Sequence, residues 1–141
     1  MTVTAISAAE IPVRDDARRR MVGFKWTGLA YDSGGVGTVG APVQWAPGVN
    51  RCVQVAGTFG TGGHIKMQGS NLESPSSVEA AGTLHDWALL SDPQGNAIDL
   101  TANGIKEVTE TPLWVRPVVT AGDGTTALDV YVSTVRSGGL P

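Results

Sequence analysis

Ala127-Leu128-Asp129-Val130-Tyr131-Val132-Ser133-Thr134-Val135 sets Leu128, Val130 and Val132 on one side and Asp129, Tyr131 and Ser133 on the other. A period of two is the pleat of a β-strand with one face against a core. The stretch is expected to be a central or core-closing strand. The same alternation recurs upstream. Met21 to Thr27 puts Val22, Phe24 and Trp26 opposite Lys25 and Thr27, and Arg51 to Phe59 aligns Val53, Val55 and Phe59. Shorter apolar runs cover Ala41–Trp45, His64–Gly69, Trp87–Leu90, Ala97–Leu100, Ile105–Val108 and Leu113–Thr120, with glycine-rich or proline-rich turns between them. No stretch of helical period interrupts the series. The chain is therefore read as all-β, an antiparallel β-sandwich or barrel.

The turns sharpen this reading. Gly60-Thr61-Gly62-Gly63 is expected to close a hairpin between Arg51–Phe59 and His64–Gly69, and Asn103-Gly104 a second one between Ala97–Leu100 and Ile105–Val108. Asp92-Pro93-Gln94-Gly95 has tight-turn chemistry. Pro117 has no amide hydrogen to give to a ladder, so its strand is expected at an edge or with a bulge there. Tyr31 to Gly40 reads as a glycine loop. Asn71 to His85, polar and small, reads as a long loop with a helical turn near Val78–Ala81.

The 141 residues fit one domain, large enough for a core without staples. The division expected is an extended N-terminal arm over 1–20, the sandwich over 21–136 and a loose tail over 137–141. Charged residues make up 16% of the chain and the formal net charge is −3, which argues against a nucleic-acid partner. The single cysteine, Cys52, excludes an internal disulfide. No apolar run approaches a bilayer span, and Met1 to Ile6 lacks a basic region ahead of an apolar core, so neither a membrane anchor nor a secretory signal is expected.

Candidate chemistry is sparse. Gly35-Val36-Gly37-Thr38-Val39-Gly40 carries the letters of a dinucleotide fingerprint, but Pro42 to Pro47 follows where a helix would have to start. With the Gly60–Gly63 hairpin closed, Cys52 would stand roughly 23 Å from His64 at about 3.3 Å per residue, too far to share a proton. His85 and Asp86 are adjacent, and on a strand such neighbours face opposite ways, so no metal set is expected. The scattered carboxylates Asp86, Asp92, Asp99, Glu107, Glu110, Asp123 and Asp129 suit turns and solvated faces. No catalytic residue, cofactor or small-molecule substrate is assigned. Of the four tryptophans, Trp26 and Trp87 are expected in the core. Trp45 and Trp114, near Pro47 and Pro112, are expected at strand ends, where an aromatic can anchor a protein interface, stack on a sugar or simply cap the core. Arg18-Arg19-Arg20 reads either as a solvated patch or as a docking segment for an acidic surface.

Gly69-Ser70-Asn71, Leu90 to Ala97, Thr101 to Lys106 and Val115 to Thr126 together resemble small β-sandwich virion proteins of tailed bacteriophages. The similarity is to the capsid cement, or decoration, proteins of short-tailed phages, and covers about Cys52 to Val135. It departs at Asn71-Leu72-Glu73-Ser74, where those proteins have a tighter polar turn. The resemblance implies a jelly-roll-like sandwich on the outer surface of an icosahedral shell. Such a protein is made in the host cytoplasm and links neighbouring major capsid protein subunits as a two-fold homodimer. Interface residues expected on this basis are Ile11, Val13, Arg14, Arg18, Arg19 and Arg20 of the arm, with Trp45 and Trp114. The edge around Pro117 or the Ala127–Val135 face would meet a second copy. A carbohydrate- or receptor-binding module of a tail or surface protein is the alternative.

Overall fold

The computed structural model describes residues 3–11, 20–33, 35–44 and 49–136. In chain order its strands are β1 (Thr4–Ile6), β2 (Ala8–Ile11), β3 (Arg20–Leu29), β4 (Val36–Gly40), β5 (Val43–Gln44) and β6 (Val49–Thr58). There follow β7 (His64–Ser70), β8 (Ala88–Leu89), β9 (Asp99–Leu100), β10 (Gly104–Glu107), β11 (Trp114–Ala121) and β12 (Ala127–Arg136). They form two sheets. One runs β1-β4-β11-β7-β8, with β5 also on β11 and β9 also on β7; the other runs β10-β6-β12-β3-β2. The described residues contain no helix. The protein is an all-β sandwich.

Side-chain alternation fills the space between the sheets. Trp26 and Leu29 of β3, Val53 and Val55 of β6 and Leu128, Val130 and Val132 of β12 meet Ile65 and Met67 of β7 and Val115 and Val119 of β11. β12 lies between β3 and β6, the central place its alternation calls for. Its outer face carries Asp129, Tyr131 and Ser133, all half-buried.

Several local expectations give way. Val36–Gly40 is a strand rather than loop, and Gly37 to Gly40 are buried. Glycine weakens a strand in isolation, but here it lets other groups come close. A Cβ on Gly40 would lie 2.6 Å from Pro117 Cδ and 2.7 Å from the Trp26 ring. Gly60–Gly63 does not close a hairpin, because β6 and β7 belong to different sheets. Asn103-Gly104 likewise joins β9 to β10 across the two sheets. A glycine turn reverses the chain without choosing its partner; β6 has taken β12 and β10, and β7 has taken β11. Pro117 lies in a central strand, not at an edge. Toward β4 and β5 the β11 ladder breaks between the pairs Val118–Val39 and Val115–Val43, and Pro117 sits opposite that break. Its ring carbon Cδ faces Gly40 there, so no amide is missed. An edge for a second copy at Pro117 is thus ruled out. The N-terminal residues are also paired: β1 runs parallel to β4, and β2 antiparallel to β3.

The Gly60 corner is pinned from the β11–β12 turn. Asp123 accepts bonds from the amides of Thr61 and Thr125, both 2.8 Å, and from the Thr125 hydroxyl at 2.6 Å. The Thr125 hydroxyl, then the two amides, hold this carboxyl down to about 2, below its usual 3.8. A depressed folded-state value stabilises the fold above the ordinary carboxylate range, and that contribution fades as pH falls from about 4 through 2. Asp123→Ala is therefore expected to lower the urea midpoint at pH 7, with the gap from the parent closing below pH 4. A gap independent of pH would refute the role of the charge.

Candidate functional site

The segment between β7 and β8, residues 71–87, folds over the outer face of the first sheet. Ile65 and Met67 point into the core, so Gln68 faces the other way by alternation. Gln68 stands opposite Arg116 in register, and both are fully buried. Arg116 Nε donates to Gln68 Oε1 at 3.0 Å, and Gln68 Nε2 donates to the Ala81 carbonyl at 2.8 Å. The guanidinium carbon lies 4.6 Å from the centre of the Trp87 ring. Trp87 in turn donates from Nε1 to the Ser76 carbonyl at 2.8 Å. The long loop is thus a covering layer bolted to the sheet. Burial lowers the Arg116 value to about 10, against the pull of Glu79 and Asp86. Trp26 and Trp87 are both buried, as expected from sequence.

His85 and Asp86 lie in this loop and not on a strand, which overturns the reason for reading them as divergent. His85 Nδ1 and Asp86 Oδ1 are 2.7 Å apart, and Glu79 brings a third donor within 4.8 Å of both. Each carboxylate also holds backbone: Glu79 accepts from the Asp86 amide at 3.0 and 3.1 Å, and Asp86 from the Ser76 amide at 2.8 Å. The Ser76 amide, then His85, keep the Asp86 carboxyl below its usual range; the bond to Asp86 raises His85 above 6.5. As metal ligands the three would have to give up bonds that shape the loop.

Beside this cluster runs a groove of about 680 Å³ between the loop and β8. Leu72, Leu84 and Leu89 line it, with Asp86, Glu110 and Pro112 at its sides. Its neighbour along the chain is a cleft of about 270 Å³, walled by Trp114, Pro42, Pro75 and Glu73. The two share no lining residue, and each mixes apolar with polar side chains.

Of the residues singled out from sequence, Trp114 is half-buried at the start of β11 and faces this cleft. Ile11 ends β2 and Arg20 begins β3. Val13, Arg14, Arg18, Arg19 and Trp45 lie outside the described residues, as does the 137–141 tail. Cys52 is half-buried opposite Glu107, and burial, then that carboxylate, push its thiol up, away from the reactive thiolate. His64 pairs with Asp99 at 2.9 Å. Asp92 Oδ1 accepts the amides of Gln94 and Asn96, both at 3.0 Å, and Asp129 accepts that of Gly28 at 3.0 Å.

The leucine groove was missed in the sequence. Leu72 and Leu84 are the largest apolar residues of a stretch made mostly of polar and small ones, with no strand face on which to bury them. That mismatch was the available signal. No family model, curated protein or solved structure matches the chain.

Proposed function

We propose that this chain is a structural virion protein that binds the outer surface of an icosahedral phage capsid and cements neighbouring major capsid protein subunits non-covalently. The observation that carries this reading is a β-sandwich with a groove lined by three exposed leucines, and with many of its carboxylates engaged in turns and corners. The strand orders add support. β3-β12-β6-β10 faces β4-β11-β7-β9, and from β3 onward the chain changes sheets at β3–β4, β5–β6, β6–β7, β9–β10, β10–β11 and β11–β12. With β4 and β5 taken as one interrupted strand, and β8 and β9 as another, this order is the one a jelly roll calls for, which supports that reading; the architecture is common in capsid and lectin domains. Residues 12–19, which join β2 to β3, contribute Arg14, Arg18 and Arg19 to an acidic capsid surface in this reading. Two copies act as a homodimer, and summed weak contacts hold the shell by preferring its assembled form.

The test is addition of purified chain to short-tailed phage shells stripped of decoration proteins. Co-sedimentation at a fixed ratio to the shell subunit is expected, with a higher temperature for shell rupture. Sub-stoichiometric or absent binding would overturn the proposal. The Trp114 cleft favours carbohydrate binding as the second reading, since an aromatic wall beside the Glu73 carboxylate suits a sugar ring and its hydroxyls. Glycan-array binding lost in Trp114→Ala would select it.

A further inference from the structure

Leu84 has φ of 53°, the one positive value at a non-glycine position among the described residues. A residue with a Cβ is disfavoured there, and a leucine more than an asparagine or glycine. The same side chain is 46% exposed, so burial does not compensate for the conformation. Strain of this kind persists where function uses it. Leu72 and Leu89, 47% and 37% exposed, line the same groove.

The groove also has a sign. Asp86 and Glu110 border it, and among the described residues that line it the one basic side chain is His85, already bonded to Asp86, with no lysine or arginine. Burial pushes Glu110 up, but the bonds it accepts from the Ser91 hydroxyl and amide outweigh this and hold it below its usual range. Finally, the groove borders a short free edge: β8, Ala88–Leu89, pairs with β7 on one side and with no described strand on the other, before Leu90 and Ser91 are taken up by Ile98 and Ala97. An extended chain can pair at such an edge.

We propose that this groove docks an extended segment of a protein partner, one that places apolar side chains among Leu72, Leu84 and Leu89 and lysine or arginine against Asp86 and Glu110. The inference rests on reading the chain as a structural docking protein, and it adds which face docks and what chemistry the shell protein must present.

The probe is a synthetic heptapeptide alternating leucine and lysine, followed by amide chemical shifts of the labelled protein. Serine–lysine and leucine–glutamate versions are the controls. Saturable shifts confined to 70–72 and 84–90 are expected with the first peptide, and binding roughly tenfold weaker with either control, the scale of losing one apolar or charged anchor. Leu84→Asn, which fits the positive φ, should not lower the urea midpoint but should weaken the peptide roughly tenfold. Leu72→Ser with Leu89→Ser should weaken it similarly. Equal binding of all three peptides, shifts elsewhere, unaltered affinity in Leu84→Asn, or affinity lost together with a lowered midpoint would overturn the proposal. So would self-association of the wild type abolished by Leu84→Asn, since the occupant would then be a second copy. Shell binding kept by Leu84→Asn overturns this inference and spares the cementing role; a wild type that binds the peptide but no shell does the reverse.

Discussion

Trp26→Ala is expected to remove about 3–5 kcal/mol of unfolding free energy, the range for deleting a large buried aromatic. Against a typical total of about 5–15 kcal/mol, that brings a domain to the edge of unfolding at growth temperature. The position explains the size. Trp26 belongs to β3 in one sheet, yet its Nε1 donates to the Ala41 carbonyl between β4 and β5 of the other, at 2.9 Å. Its ring lies where a Cβ on Gly40 would stand, next to Pro117 of β11. Deletion would open a void between the sheets and leave a partly buried carbonyl without its donor. Trp26→Phe keeps most of the apolar contact and is expected to cost about 1–2 kcal/mol, chiefly the bond and the second ring. Denaturant unfolding of both variants measures the difference. A loss below about 1 kcal/mol for Trp26→Ala would mean that the sheets do not depend on this contact.

The same locus shows what could be read beforehand. Alternation around Trp26 and along Ala127–Val135 depends only on a residue's near neighbours, so these strands were legible. The partner of a strand depends on groups far away in sequence. Gly60-Thr61-Gly62-Gly63 has every local mark of a hairpin, but Asp123, 62 residues beyond Thr61, pins it as a corner between sheets. A loop reading fails at Val36–Gly40 for the same reason: the glycines that spell a loop locally are needed for the approach of Trp26 and Pro117. Pro117 is tolerated in a central strand because its neighbour breaks opposite it. Trp114's place at a strand end was legible from its proline neighbour. The leucine groove was not, since it needs the 71–87 segment folded onto β8 before Leu72, Leu84 and Leu89 meet.

Arg116→Ala is the second large effect expected, a loss of about 2–5 kcal/mol, the range for truncating a long, fully buried side chain and leaving a void. The guanidinium is fully buried, donates only through Nε to Gln68, and has Nη1 and Nη2 without hydrogen-bond partners. Its lowered value, about 10, means that holding the cation there costs on the order of 3 kcal/mol against solvent. The charge itself is therefore a burden, and the side chain must stabilise by filling space, by covering Trp87 and by orienting Gln68 toward Ala81. Arg116→Met separates these contributions. Methionine fills similar volume, makes a favourable sulfur–aromatic contact and removes the buried charge. It gives up the bond to Gln68 and the attraction to Glu79 and Asp86, which are only partly buried and return little. The Gln68 oxygen left without its donor costs about 1–3 kcal/mol, and removal of the buried charge with its two unpaired nitrogens offsets most of that, so the expected loss is under about 1.5 kcal/mol. Hydrogen exchange adds a local readout. Amides of 76–86 should exchange faster in Arg116→Ala than in Arg116→Met if the arginine bolts the loop through packing. Equal and large losses in both variants would show instead that the cation, held by its two carboxylates, is what keeps the loop on the sheet.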